Sequence, residues 1–170
     1  MGQEIISDMT NLKKSSSVLT GAAGEHYVLY KLFKEGILAG QPPNGVADVD
    51  LLVLDEDANI VTNLQVKTTR GTPGWMMKEK HEKLVSDRLF YVFVDLGSEP
   101  PECFIIPSEI VAKHCAVTHK TWLAKPKKDG KPRKDTSMRR IEPNLPFEVP
   151  GFPPGWMDQY KDAWSLLRYV

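Results

Sequence analysis

The stretch of sequence that decides the fold reads DVDLLVL at residues 48–54 and, after a short acidic turn, NLQVK at residues 63–67. Apolar residues dominate both segments, which predicts two strands joined as a hairpin. Because side chains alternate between the two faces of a strand, Gln65 and Lys67 project to the same side. A tight hairpin lets Asp50 lie beside them across the ladder. A carboxylate, an amide oxygen and a lysine at one point suit metal-assisted attack on a phosphodiester.

Length and composition are those of an ordinary globular domain. The chain has 170 residues, of which 41% are hydrophobic and 26% are charged, enough to bury a core. Its net charge is zero, so only the distribution of charge can indicate a partner. No stretch approaches the roughly 18 apolar residues that span a bilayer, and no signal peptide is visible. Cys103 and Cys115 indicate neither a disulfide framework nor a metal pair. These features predict a cytoplasmic protein with no membrane partner.

Further elements can be placed on both sides of the hairpin. The strand around Tyr91 is apolar throughout, so we expect it in the centre of the sheet, covered on both faces. Together the elements predict an α/β fold with a mixed β-sheet flanked by helices. In chain order the predicted elements are a helix at 18–35, strands at 48–54 and 60–68, a charged helix at 76–86, strands at 89–94 and 104–106, and a helix at 107–117.

The first predicted helix carries an acid on its apolar face. Glu25 lies three residues after Ala22, four before Leu29 and seven before Leu32, which places all four on one side of the helix. Burying an unpaired charge is costly. The carboxylate therefore either points into a metal site or lies at a boundary, where it reaches water or pairs with a lysine.

A family resemblance follows from these residues. Gly24 and Glu25 in a first helix, Asp50 opening a strand, and QVK at 65–67 closing the next resemble the PD-(D/E)XK nuclease superfamily. The most similar branches are the small archaeal-resolvase-like and intron-endonuclease-like ones. The order helix, strand, strand, strand, helix, strand is also that of the family's restriction-endonuclease-like core. The resemblance covers residues 17–106.

The resemblance implies a role for each motif residue. Asp50 would be the main metal-bridging carboxylate, and Gln65 would stand where the family usually has Asp or Glu. Lys67 would lie near the attacking water, and Glu25 would support the metal directly or through water. These four residues form the implied catalytic set, with Asp50, Gln65 and Glu25 as ligands of Mg²⁺ or Mn²⁺. Asp48 is the rival of Asp50, because both fall on the same strand face.

The implied function is that of a divalent-metal-dependent endonuclease that hydrolyses phosphodiester bonds, with DNA expected before RNA. Gln65 is the departure from the family pattern, because it offers a carbonyl oxygen without a charge. The alternative is therefore a catalytically inactive nuclease-like domain that binds nucleic acid or a protein. Under a third interpretation the motif is accidental and the tail mediates assembly. The oligomeric state stays open, a homodimer included.

The composition changes after the predicted core domain, residues 1–118. Residues 119–170 form a basic and proline-rich extension, with a closing amphipathic helix at 156–167 that we expect to pack on the same domain. Nine basic and two acidic residues lie between 120 and 140, a net charge of plus seven. This tract either contacts phosphates or is a solvated loop. The candidate nucleic-acid-binding residues are Lys127, Lys128, Lys131, Arg133, Lys134, Arg139 and Arg140.

Overall fold

A computed structural model describes residues 17–43, 45–72 and 74–168 of the chain. Its elements are two α-helices, seven strands and three short 3₁₀ turns. In chain order they are α1 (Ser17–Lys34), β1 (Ala39–Gly40), β2 (Leu51–Leu54), β3 (Ile60–Thr69), β4 (Trp75–Lys78), β5 (Leu89–Asp95), β6 (Glu102–Pro107), α2 (Ser108–Ala124) and β7 (Met138–Ile141). The 3₁₀ turns are Glu79–Glu82, Asp158–Tyr160 and Trp164–Arg168.

Five strands form the main sheet in the order β1-β2-β3-β5-β6. β3 and β5 run parallel and the other neighbours are antiparallel, so the predicted mixed sheet is confirmed. The central position of β5 is also confirmed, because every residue from Leu89 to Val94 is buried. α1 packs on one face of the sheet and α2 on the other. Neither helix of the described residues is long and apolar enough to cross a membrane.

α1 is held against β3 by its small and apolar residues. Gly24, Val28 and Leu32 recur every four residues and are buried along one side of the helix. A Cβ atom at Gly24 would collide with the side chain of Thr68, so only glycine allows this close approach. The approach places Glu25, the next residue, beside the C-terminal half of β3.

The predicted charged helix at 76–86 is wrong. The chain forms strand β4 and then the 3₁₀ turn Glu79–Glu82. Trp75 and Met77 are buried while Met76 and Lys78 are exposed, which is the alternation of a half-buried strand. β4 pairs antiparallel with β7 in a second, two-stranded sheet. That partner comes from the far C-terminal part of the chain, so the local charge pattern did not reveal it.

The C-terminal region also departs from the expected elements. α2 continues to Ala124 rather than ending near residue 117. The predicted closing helix at 156–167 is wrong, because this segment forms two 3₁₀ turns. Between them Asp162 has a φ of 49°, a left-handed conformation that interrupts a helix. Trp156 and Trp164 are nevertheless buried, each in one of the two apolar clusters that flank the sheet.

One buried histidine makes the stability of this fold depend on pH. His114 of α2 is fully buried, with its ring centroid 4.7 Å from that of Phe152 and 4.6 Å from that of Trp156. Burial lowers the pKa of His114 to about 4, whereas an unfolded histidine titrates near 6.5. Between these values the unfolded chain binds the extra proton. We therefore expect His114 to remove about 3 kcal/mol from the free energy of unfolding as the pH falls from 6.5 to 4.

Urea unfolding of the wild type and of His114→Phe at pH 7 and pH 4 checks this expectation. The phenylalanine places an aromatic ring in the same pocket and cannot take up a proton, although it loses the contact of Nδ1 with Oγ1 of Thr118 (3.4 Å). Its free energy of unfolding should fall less over this interval than that of the wild type. Equal losses in the two proteins would contradict the assignment.

Candidate active site

The hairpin places the carboxylate of Asp50 on β3, the strand that carries Gln65 and Lys67. The backbone N–H of Asp50 donates to the carbonyl of Leu64 (2.8 Å), just before β2 and β3 begin to pair at Leu51. The backbone N–H of Val66 in turn donates to Oδ2 of Asp50 (2.7 Å). Because Val66 lies between Gln65 and Lys67, this bond holds the carboxylate of Asp50 next to both.

The carboxylates of Asp50 and Asp48 act electrostatically on Lys67. Its side chain is partly buried, and burial lowers the pKa of the ammonium group. The negative charges of Asp50 and, more weakly, of Asp48 act in the opposite direction and favour the charged form. Lys67 is thus a partly desolvated cation whose charge is maintained by neighbouring carboxylates.

Glu25, which comes from α1, is affected by the charges of Asp50 and Lys67. Burial raises the pKa of its carboxyl group, and the negative charge of Asp50 raises it further. The positive charges of His26 and Lys67 partly oppose this shift. The charges of both Asp50 and Lys67 therefore act on Glu25, whose side chain is partly buried.

Gln65 is the most deeply buried member of the set, with 4% of its surface exposed. Its Nε2 group donates to Oδ1 of Asp48 (3.4 Å). Its Oε1 atom is buried and has no hydrogen-bond partner among the residues that the structure describes. A buried acceptor without a partner is unfavourable, so this oxygen is suited to receive a ligand.

Asp48 is occupied in a different way from Asp50. It adopts a left-handed conformation with a φ of 60° and forms an ion pair with Nζ of Lys80. The hydrogen bond from Lys80 holds the pKa of Asp48 below its usual range. The charge of Asp48 is thus offset by Lys80, whereas the carboxylate of Asp50 accepts from a backbone N–H.

Lys80 and His81 are neighbours of Asp48 and Tyr91 that sequence reasoning did not find, because both fall in the predicted charged helix at 76–86. The 3₁₀ turn after β4 brings Lys80 to Asp48, 32 positions earlier in the chain. His81 is buried against Tyr91, with ring centroids 5.9 Å apart, and burial lowers the pKa of His81. No local pattern could have revealed either contact.

The candidate metal donors among the predicted site residues are oxygens. They are the carboxylates of Glu25 and Asp50 and the unpartnered Oε1 of Gln65, a set that suits Mg²⁺ or Mn²⁺. In residues 17–43, 45–72 and 74–168, no group of three His, Cys, Asp or Glu side chains could hold a metal ion. Glu25, Asp48 and Asp50 therefore do not form a three-acid site, and the candidate set relies on the amide oxygen of Gln65 as its third donor.

The candidate nucleic-acid-binding residues belong to another part of the molecule, the loop after α2 and strand β7. Arg139 is buried, forms an ion pair with Glu82 and donates to the carbonyl of Met138 (2.9 Å). Arg133 lies 4.6 Å from the ring centroid of Trp122. The structure therefore turns Arg139 away from the surface. The exposed members are Lys127, Lys128, Lys131, Lys134 and Arg140.

Comparisons with known proteins support the fold. No protein-family model and no curated protein sequence matches this chain. Among solved structures, the bacterial homing endonuclease I-Ssp6803I is similar, with a TM-score of 0.51 over 89% of this chain and 91% of that chain. The two sequences are 15% identical, so the likeness concerns the fold alone. The chain thus has a nuclease-like α/β fold.

Proposed function

We propose that this chain is a divalent-metal-dependent endonuclease of the PD-(D/E)XK type that cleaves DNA. The observation that carries the proposal is the bond from Val66 to Asp50, which ties that carboxylate to the strand between Gln65 and Lys67. The charges of Asp50 and Lys67 also act on Glu25 of α1. The similarity in fold to a homing endonuclease supports the same reaction class.

Each residue has a chemical task in this proposal. Glu25, Asp50 and Oε1 of Gln65 would hold the ion, and the bond from Val66 keeps Asp50 rigid. When bound, the ion supplies positive charge that offsets the charge developing on the phosphate. Lys67 adds a second positive charge from the protein itself. Because Lys67 is partly desolvated, its interaction with an anion is stronger than that of a lysine in water.

Cleavage assays with purified wild-type protein test the proposal. Supercoiled plasmid and linear duplex DNA should be cleaved in Mg²⁺ or Mn²⁺ and left intact in chelator, because metal and Lys67 together offset the phosphate charge. A single-stranded RNA of similar length is assayed under the same conditions, to compare its cleavage with that of DNA. Cleavage that persists in chelator would place the activity outside this site.

A second candidate is a nuclease-like domain that binds nucleic acid without cleaving it. Two observations favour it: Gln65 has no charge, and the nearby Asp48 is already paired with Lys80. Both features reduce the negative charge available to attract a metal ion. Retention of DNA in chelator, without cleavage in either metal, would support this candidate over the endonuclease.

The proposed DNA-binding surface is the basic tract between residues 120 and 140. Its exposed lysines concentrate positive charge that the acidic site lacks. Contacts to phosphates position a duplex without reading its sequence. The proposed surface keeps the exposed residues Lys127, Lys128, Lys131, Lys134 and Arg140. Arg133 is partly covered by its contact with Trp122, so only the exposed part of its side chain can contact a phosphate.

A further inference from the structure

Three side chains form a short chain of contacts that ends on the motif glutamine. Lys80 pairs with Asp48, and Oδ1 of Asp48 accepts from Nε2 of Gln65 (3.4 Å). Lys80 is the outermost member, with 52% of its side chain exposed, whereas Gln65 is almost completely buried. The contacts therefore run from the surface to the candidate metal site.

The contact between Asp48 and Gln65 determines which end of the Gln65 amide faces Asp48. The side chain of glutamine has a donating end and an accepting end, which a half-turn exchanges. An ionised carboxylate only accepts, so Asp48 attracts the NH₂ end of Gln65 and repels the oxygen. Oε1 is thereby turned away from Asp48, where it has no partner among the described residues.

We propose that Asp48 is a positioning residue: held by Lys80, it fixes the amide of Gln65 so that Oε1 is presented to a divalent cation. The proposal rests on the proposed function and deepens it. It assigns to Asp48 a task other than metal ligation, although the motif places it as the rival of Asp50. It also explains how a neutral residue can serve where a carboxylate is usual.

The same contact opposes a carboxylate at position 65. By charge alone, Gln65→Glu would attract a cation more strongly. Next to Asp48, however, the new carboxylate would lose a hydrogen bond and face a like charge. Asp48 and Gln65 are therefore matched, and changing one alters the effect of changing the other.

The test is a double-mutant cycle read out by the affinity for Mn²⁺, measured by calorimetry on the full chain. Asparagine at position 48 can either accept from or donate to Gln65, so it no longer selects the NH₂ end of that amide. Asp48→Asn should therefore weaken Mn²⁺ binding about 10- to 100-fold, the usual effect of disturbing a group that orients a ligand. Gln65→Glu should give no tighter binding in the wild-type background. In the Asp48→Asn background the introduced asparagine can donate to the introduced carboxylate, so Gln65→Glu should tighten binding by at least about 10-fold.

Asp57→Asn is the matched control, because it removes one carboxylate from the exposed turn between β2 and β3. It should leave the affinity for Mn²⁺ unchanged. Equal effects of Gln65→Glu with and without Asp48→Asn would overturn the positioning role. So would wild-type affinity in Asp48→Asn.

A second measurement needs no metal. In NMR spectra of the metal-free protein, the side-chain NH₂ signals of Gln65, assigned by their loss in Gln65→Ala, should shift in Asp48→Asn and not in Asp57→Asn. Gln65 signals with the same chemical shifts in Asp48→Asn and the wild type would overturn the inference, even if the wild type cleaves DNA. The opposite outcome is also informative: the Gln65 signals shift in Asp48→Asn, but the wild-type protein neither binds Mn²⁺ nor cleaves DNA. That result would overturn the proposed function and establish only the contact between Asp48 and Gln65.

Discussion

Replacing Lys67 with alanine is expected to reduce metal-dependent DNA cleavage by about 100- to 1,000-fold, the usual loss when one preorganised group that stabilises transition-state charge is removed. Lys67 is partly desolvated and lies beside Asp50, so water cannot reproduce its positive charge at that point. The effect should appear mainly in kcat, since the charge on the phosphate grows toward the transition state. Single-turnover cleavage of one duplex in Mg²⁺ is the measurement.

Two further variants make this prediction specific. Lys83→Ala removes an exposed lysine from the segment after the 3₁₀ turn and should cleave at the wild-type rate. Asp50→Asn keeps an oxygen that can accept from Val66, so it should fold while losing cleavage to a similar degree. Circular dichroism melts would establish that each variant is folded. Near-wild-type cleavage by both Lys67→Ala and Asp50→Asn would place the reaction elsewhere.

Replacing the exposed lysines of the basic tract is expected to flatten the salt dependence of DNA binding. Lys127, Lys128 and Lys134 are exposed in the loop after α2. Each lost phosphate contact reduces the slope of log affinity against log salt concentration by about 0.9. The triple alanine variant should therefore lower the slope by up to about 2.7, if all three lysines contact phosphates. Fluorescence anisotropy of a labelled duplex between 50 and 200 mM salt, with chelator present, gives the slope.

The control for this prediction changes charge outside the tract. Lys34 at the end of α1 and Lys113 on α2 are also exposed, and replacing both with alanine should leave the slope unchanged. Arg133 is kept in all variants because its contact with Trp122 and its bond to the carbonyl of Lys125 (3.0 Å) hold the loop in place. An unchanged slope in the triple variant would identify the tract as a solvated loop. Lys78, the exposed last residue of β4, would then be tested in the same way.

Local pattern was sufficient for much of the fold. The apolar run of β5, the hairpin of β2 and β3, and the spacing of Leu29 and Leu32 in α1 each identified an element from its own residues. These elements bury a face or a stripe whose period is visible in sequence. β4 was missed because it is only four residues long, its one charged residue, Lys78, is exposed, and its strand partner, β7, lies about 60 residues further along the chain.

The sequence by itself determined which residue types meet on the motif strand. Gln65 and Lys67 share a face because side chains alternate, and the hairpin register brings Asp50 to Val66. Only the tertiary structure decided the rest of the site. Lys80 reaches Asp48 through a turn that β4 and β7 position together. A contact of that kind depends on packing between segments distant in sequence, which no local periodicity encodes.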